Sequence, residues 1–321
     1  MTLNPDSPKT SIVIPVYNGA LSIGRLVDEL IARLSPLFQI EIVLVNDCSP
    51  DNSEEICIGI SKKHPGFVSF YSLAMNVGEH NADMAGLNKC TGDYAIFVDD
   101  DFQNPVSEVE KVISYMVSND YDVVYTYYKE KKHSWSRNLG SLFNDKVANL
   151  MLKKPRNLYL SSFKIINRFL IDEVIKYNLP YPYIDGLILR TTSSIGKVEV
   201  LHNLRQTGKS NYTLRKLIRL WMNMFTNFSI LPLRVSIFMG FIFSIIGFLI
   251  GIDAVIEKFY NPTVPLGYTY MIIIISLYAG IQLIAIGMVG EYLGRMFMSG
   301  NKKPQYSIRK SFNEPKHDGQ K

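Results

Sequence analysis

The stretch Ala95-Ile96-Phe97-Val98-Asp99-Asp100-Asp101-Phe102-Gln103-Asn104-Pro105 decides the fold. An apolar run ends abruptly in three acids, and a proline opens the next segment. A short apolar run bounded by turn residues reads as a buried strand, and Pro suits the first turn of a helix. The unit is therefore strand, acidic turn, helix, with the helix expected over residues 105–117. In extended chain, side chains at i, i+2 and i+4 point to one side, which groups Asp99, Asp101 and Gln103. Two carboxylates and an amide oxygen are hard donors suited to Mg²⁺ or Mn²⁺. Three adjacent acids repel one another unless a cation or hydrogen bonds compensate.

Working outward, the same alternation recurs. Strands are expected over residues 11–15, 40–45, 68–73, 94–98 and 123–127, with helices over 21–34, 53–63 and 81–89 between them. Strands alternating with helices indicate an α/β fold with a mostly parallel sheet covered on both faces. In such sheets ligands bind beyond the carboxyl ends of the strands. The first strand is followed by Pro15-Val16-Tyr17-Asn18-Gly19, the second by Asn46-Asp47-Cys48-Ser49-Pro50-Asp51, the third by Asn76-Val77-Gly78, and the fourth by the acidic turn. Each alone is an ordinary turn, but four at one sheet edge mark a site. Other nucleotide signatures fail. There is no GxGxxG, and Gly208-Lys209-Ser210 lacks the phosphate-loop glycine because position 203 is Asn.

The 321 residues are 47% hydrophobic and 20% charged, with a net charge of +5, which excludes a disordered or collagen-like chain. Three cysteines (Cys48, Cys57, Cys90) give no disulfide framework and no zinc spacing. The apolar content is concentrated late. Residues 235–252 and 259–290 carry no charge, and about 20 apolar residues of helix span a bilayer. Two spans are expected. Residues 205–234 hold six Lys/Arg and no acid, and residues 291–321 hold seven Lys/Arg against three acids. The positive-inside rule places both flanks, and the N-terminal domain, in the cytoplasm. Residues 205–234 also mix Arg205, Lys209, Arg215, Lys216 and Arg219 with Leu214, Leu217, Trp221 and Phe225. That is a basic amphipathic segment for a membrane surface, where Arg holds phosphate. The basic excess belongs to this membrane face, and no nucleic acid is implied.

Taken together, these residues resemble family 2 glycosyltransferases of the GT-A fold. More narrowly, they resemble the polyprenyl-phosphate glycosyltransferases: dolichyl-phosphate mannose synthases, bactoprenol glucosyltransferases and undecaprenyl-phosphate aminoarabinose transferases. The resemblance runs through the motifs above, Trp135 to Ser141, Arg205 to Leu217 and Gly287 to Arg295. It implies a Rossmann-like cytoplasmic domain (1–204), an interface segment (205–233), a two-helix transmembrane hairpin (234–290) and a basic cytoplasmic tail (291–321). The location would be a bacterial inner membrane, with membrane lipids as partners and a homo-oligomer left open. The implied reaction is metal-dependent, inverting transfer of a sugar from a nucleotide-sugar, a UDP-sugar, to undecaprenyl phosphate. Pro15, Tyr17, Asn18, Asp47 and Asp100 would bind the donor nucleotide. Asp99, Asp101 and Gln103 would hold the metal. Arg137, Ser141, Arg205, Lys209 and Ser210 would hold the acceptor phosphate, with Asp99, Asp101 and Arg205 as the catalytic set. The chain departs from the family pattern in places. Gly19 stands where an acid is common, and Asp100 where Ala is common. Tyr128 replaces an arginine, and Ser162 and Lys164 flank Phe163 in place of Asp and Arg. Asn211 replaces a lysine. Asp185 is a candidate substitute for the acid missing at Ser162. Rival expectations are a processive polysaccharide synthase, which lacks its Gln-x-x-Arg-Trp motif here, and an inactive nucleotide-binding membrane scaffold.

Overall fold

Alternation of buried side chains builds the sheet. In β1 (Lys9–Val16), Ile12, Ile14 and Val16 face one side and Val13 the other, all fully buried. In β2 (Gln39–Asn46), Ile42 and Leu44 oppose Val43 and Val45 in the same way. Strands buried on both faces are typical of a parallel sheet inside two helical layers. The computed structural model describes residues 8–128, 158–180, 182–201, 231–260, 268–300 and 304–314. Its chain divides into one unit of Met1–Asn211 with Lys303–Lys321, and a second of Tyr212–Lys302.

The first unit holds one eight-stranded mixed sheet. The remaining strands are β3 (Val68–Leu73), β4 (Tyr94–Phe97), β5 (Val123–Tyr127), β6 (Lys164–Asn167), β7 (Ile195–Glu199) and β8 (Ile308–Phe312). Their order is β7-β5-β6-β4-β1-β2-β3-β8. β1 pairs in parallel with β2 and β4, β2 with β3, and β5 with β7. β6 runs antiparallel between β4 and β5, and β8 antiparallel on β3. The parallel core matches the expected Rossmann-like half, and β6 and β8 make the whole sheet mixed.

Helices α1 (Ile23–Leu34), α2 (Ser53–Lys63) and α4 (Val106–Val117) cover the face of Ile12 and Ile14. Helices α3 (Glu79–Leu87), α5 (Arg168–Val174) and α6 (Ile184–Thr191) cover the other. α3 lies close on the sheet, since a Cβ on Gly86 would meet Val13 Cγ1 at 2.5 Å. It begins two residues before the expected start because Gly78, at φ 87°, breaks the extended chain there. The strand order reverses at β1, because the chain steps outward to β2 and β3 and then returns to the other side of β1 as the parallel β4, so the carboxyl ends of β1 and β4 open a crevice at this switch point.

The second unit contains α7 (Leu231–Tyr260) and α8 (Tyr268–Gly300). Leu233, Ser236 and Ile237 of α7 line a groove with Ala285, Ile286 and Val289 of α8. The start of one helix thus lies against the later part of the other. Among the described residues, one helix is long and apolar enough to cross a membrane, through the window Ser236–Asp253 with mean hydropathy 2.1 and no residue buried.

Candidate active site

The first four expected turns meet at the switch-point edge through hydrogen bonds. Beyond β1, the backbone N–H of Asn18 donates to Ser49 Oγ (2.8 Å), that of Gly19 to Ser53 Oγ (3.1 Å) and that of Ala20 to Asp51 Oδ2 (3.2 Å). Asp51 Oδ1 in turn accepts from the hydroxyls of Ser49 (2.5 Å) and Ser53 (2.6 Å). These bonds hold the Asp51 carboxyl below its usual range against burial. The loops after β1 and β2 are therefore one cradle. Pro15 is half-buried at its base, while the Tyr17 ring is 41% exposed above it.

Asp47 is buried and joins the second loop to the third. Its carboxylate accepts from the N–H of Val77 (2.7 Å) and of Gly78 (2.9 Å). Burial pushes its carboxyl up, and the two amides offset part of that shift. Three non-glycine residues at this edge adopt left-handed backbone: Asn18 (φ 58°), Cys48 (φ 51°) and Phe102 (φ 60°). Each conformation costs about 1 kcal/mol or more, and strain of this kind concentrates where loops are shaped for a ligand.

The acidic turn closes the crevice. Asp99, Asp100, Asp101 and Gln103 are all half-buried. Asp99 Oδ2 accepts from Ser162 Oγ (3.1 Å), and Asp101 Oδ1 accepts from the N–H of Gln103 (3.1 Å). Asp100 Oδ2 instead accepts from the N–H of Tyr17 (3.1 Å). Ser162 thus touches Asp99 from the place where the family pattern has an acid. Tyr128 reaches the same turn, its hydroxyl 3.3 Å from Asn104 Oδ1. Its phenol is pushed up to about 12 by burial, with Asp99 and Asp101 adding to the shift.

Several residues outside the expected donor and metal sets also act on this edge. Glu79, an exposed residue at the start of α3, has its carboxyl pushed up to about 7, by desolvation from the surrounding protein first and then by the charges of Asp99, Asp185 and Asp101. Asp83, one turn later and 7% exposed, is raised well above the ordinary range by burial and by Glu79. Lys164 is the cation that acts on both. It is itself buried in an ion pair with Asp185 (2.9 Å) and stacked over Phe97, 5.1 Å from the ring centroid. Tyr125 donates its hydroxyl to the same Asp185 oxygen (2.9 Å). Asp185 is thereby engaged as a counter-ion. His80 packs edge-on against Tyr183 with centroids 5.5 Å apart, and burial lowers its pKa to about 4, so its ring is neutral.

The donor chemistry of the turn fits a divalent cation. Asp99, Asp101 and Gln103 bring two carboxylates and an amide oxygen, all hard donors, to one turn, and the charges of Asp99 and Asp101 add to the desolvation that raises the Glu79 carboxyl. Among the described residues no three His, Cys, Asp or Glu side chains form a metal cage. Two carboxylates and an amide leave positions for substrate phosphates. Arg137, Ser141, Arg205, Lys209 and Ser210 lie outside the described residues.

The sequence model described as "Glycosyl transferase family 2" matches residues 11–175, just over half of the chain. An undecaprenyl-phosphate 4-deoxy-4-formamido-L-arabinose transferase of Proteus mirabilis (strain HI4320) is 30% identical over 309 residues, 94% of this chain and 93% of that protein. One of the same name from Serratia proteamaculans (strain 568) is 29% identical over 320 residues, 97% of each chain. Among solved structures, glucosyl-3-phosphoglycerate synthase from Mycobacterium tuberculosis in complex with Mn²⁺ and UDP-glucose superposes with a TM-score of 0.52. It is 17% identical and covers 68% of this chain and 78% of its own, a likeness of fold.

Proposed function

The chain belongs to glycosyl transferase family 2 and is a glycosyltransferase, and from that premise we propose that it moves a sugar from a UDP-sugar onto undecaprenyl phosphate with inversion at the anomeric carbon. The observation that carries this reading is the joining of four strand-end loops around the half-buried Asp99 and Asp101. The full-length relatives named for transfer to undecaprenyl phosphate support the acceptor. The Mn²⁺ and UDP-glucose bound by the glucosyl-3-phosphoglycerate synthase support the donor and metal classes.

Asp47 and the cradle of Tyr17 and Asn18 receive the nucleotide. Asp99, Asp101 and Gln103 would hold Mg²⁺ or Mn²⁺, which supplies charge stabilisation for the departing diphosphate. Ser162 fixes the rotamer of Asp99, and the Asp101 carboxylate is set by the Gln103 amide. The acceptor oxygen of a polyprenyl phosphate is anionic at neutral pH, so it needs little help from a general base. The chain's task is then to position two anions face to face. Arg137, Ser141, Arg205, Lys209 and Ser210 are assigned to the acceptor phosphate.

The same proposal extends to the membrane. α7 supplies one span, and the uncharged first part of α8, residues 268–290, supplies the second. The basic flanks put the catalytic domain and both termini on the cytoplasmic side of a bacterial inner membrane. Calorimetric titration of the full chain with UDP tests the donor site. Binding that requires Mn²⁺ or Mg²⁺ is expected. Absence of binding with either cation would overturn the donor site.

A further inference from the structure

Gly19 and Asp100 fit one another. β1 ends at Val16, and the chain passes through Tyr17 and Asn18 before Gly19 turns into α1. A Cβ built on Gly19 would lie 2.3 Å from Asp100 Oδ2 and 3.1 Å from its Cγ. A carbon and an oxygen cannot approach so closely, so the Asp100 carboxylate fills the volume that any side chain at position 19 would need. The same Oδ2 accepts the Tyr17 N–H at 3.1 Å. The strand has ended at Phe97, and residues 100 and 101 form a turn that sends the three acids to different partners. Asp99 pairs with Ser162 and Asp101 with the Gln103 amide, while Asp100 turns to the nucleotide loop. Two of the positions where the chain departs from the family pattern, no acid at 19 and an acid at 100, are therefore in contact.

We propose that Asp100 is a positioning residue. Seated in the space left by Gly19, its carboxylate pins the Tyr17 loop to the acidic turn, so that the nucleotide pocket and the metal-holding carboxylates form as one unit. The proposal rests on the donor site assigned above. Its chemistry asks only for an acceptor at Asp100 and for no side chain at position 19. Changes at the two positions should therefore be strongly non-additive.

The test is a double-mutant cycle on the full chain in lipid nanodiscs, read by calorimetric titration with UDP and Mn²⁺ and by thermal unfolding. Asp100→Ala should weaken UDP binding about tenfold, the scale of one hydrogen bond to a charged group. Gly19→Ala should weaken it similarly, because the new methyl displaces the carboxylate. Combining the two should cost no more than Asp100→Ala alone. Asp100→Asn keeps an amide oxygen for the Tyr17 N–H and should recover most of the lost affinity. Additive losses in the cycle would overturn the proposal. So would an Asp100→Asn chain as weak as Asp100→Ala, which would place the charge itself on the ligand. If Gly19→Ala does not fold, the comparison of Asp100→Ala with Asp100→Asn still decides between support and refutation. A wild-type chain that binds no UDP would overturn the donor site and this proposal together, whereas binding with additive losses overturns the proposal alone.

Discussion

Replacing Asp101 by Asn keeps an acceptor for the Gln103 amide, 3.1 Å away, and removes only charge. If Asp101 holds the metal that stabilises the departing diphosphate, turnover should fall by about 10²-fold or more, equivalent to several kcal/mol of transition-state stabilisation. Wild-type-like initial rates would remove that role. Glu79 makes a different prediction. Its ordinary pKa is 4.5 and its folded value is about 7. The native chain therefore binds this proton more tightly than the unfolded chain does. Ionising Glu79 costs stability, which is lost as pH rises from 4.5 through 7. Glu79→Gln should raise the thermal midpoint relative to wild type at about pH 8 and leave it unchanged at about pH 4, measured without added divalent cation. An equal shift at both pH values would contradict a raised Glu79 carboxyl in the folded chain. The placement of Asp47, Asp99 and Asp101 beyond the strand ends was legible because each comes within four residues of a buried strand. Ser49, Asp51 and Ser53 were not, because their work depends on two loops meeting, which no local pattern encodes.

At the scale of elements, the buried pair between β6 and α6 is the most consequential. Lys164 is 4% exposed and Asp185 6%, with 2.9 Å between their charged atoms. Breaking such a pair by removing one partner leaves an uncompensated buried charge and costs about 3–5 kcal/mol. Asp185→Ala should thus lower the thermal midpoint strongly, while Lys164→Met combined with Asp185→Leu should restore most of it. A single substitution as mild as the double would show that the pair is not the contact that seats α6. The first five strands and first four helices were readable from their periods. β6, β7 and β8 were not, since all three join the sheet through partners far away in sequence. β8 reaches β3 from residues 308–312, with Lys310 on Glu54 at 2.5 Å and the Asn313 amide on the Ser61 (2.5 Å) and Val68 (3.1 Å) carbonyls. A short, charged Ile308–Phe312 segment carries no strand signal until the edge it covers is known.

For the whole molecule, composition hid a division that hydropathy along the chain revealed. α7 exposes Phe238, Phe241 and Phe248 at 65–69%, which only a lipid or protein environment would tolerate. Cysteines report the orientation. Cys48 is exposed, whereas Cys57 and Cys90 are buried, their thiols pushed up to about 12 by burial first. A membrane-impermeant maleimide should label Cys48 in inside-out vesicles and spare it in right-side-out ones. The reverse pattern would contradict a cytoplasmic catalytic domain. The donor sugar was not legible at any scale, because its contacts depend on side chains gathered from several loops. The residues proposed for the acceptor phosphate fall within 129–157 and 202–230, outside the described residues. The central claim is tested most directly by incubating the reconstituted full chain with undecaprenyl phosphate, Mn²⁺ and a panel of UDP-sugars, then weighing the extracted lipid by mass spectrometry. The account predicts one lipid monophosphosugar, heavier than undecaprenyl phosphate by a single sugar residue and abolished by a chelator. Transfer only to another acceptor, or a product carrying a growing polysaccharide, would contradict it.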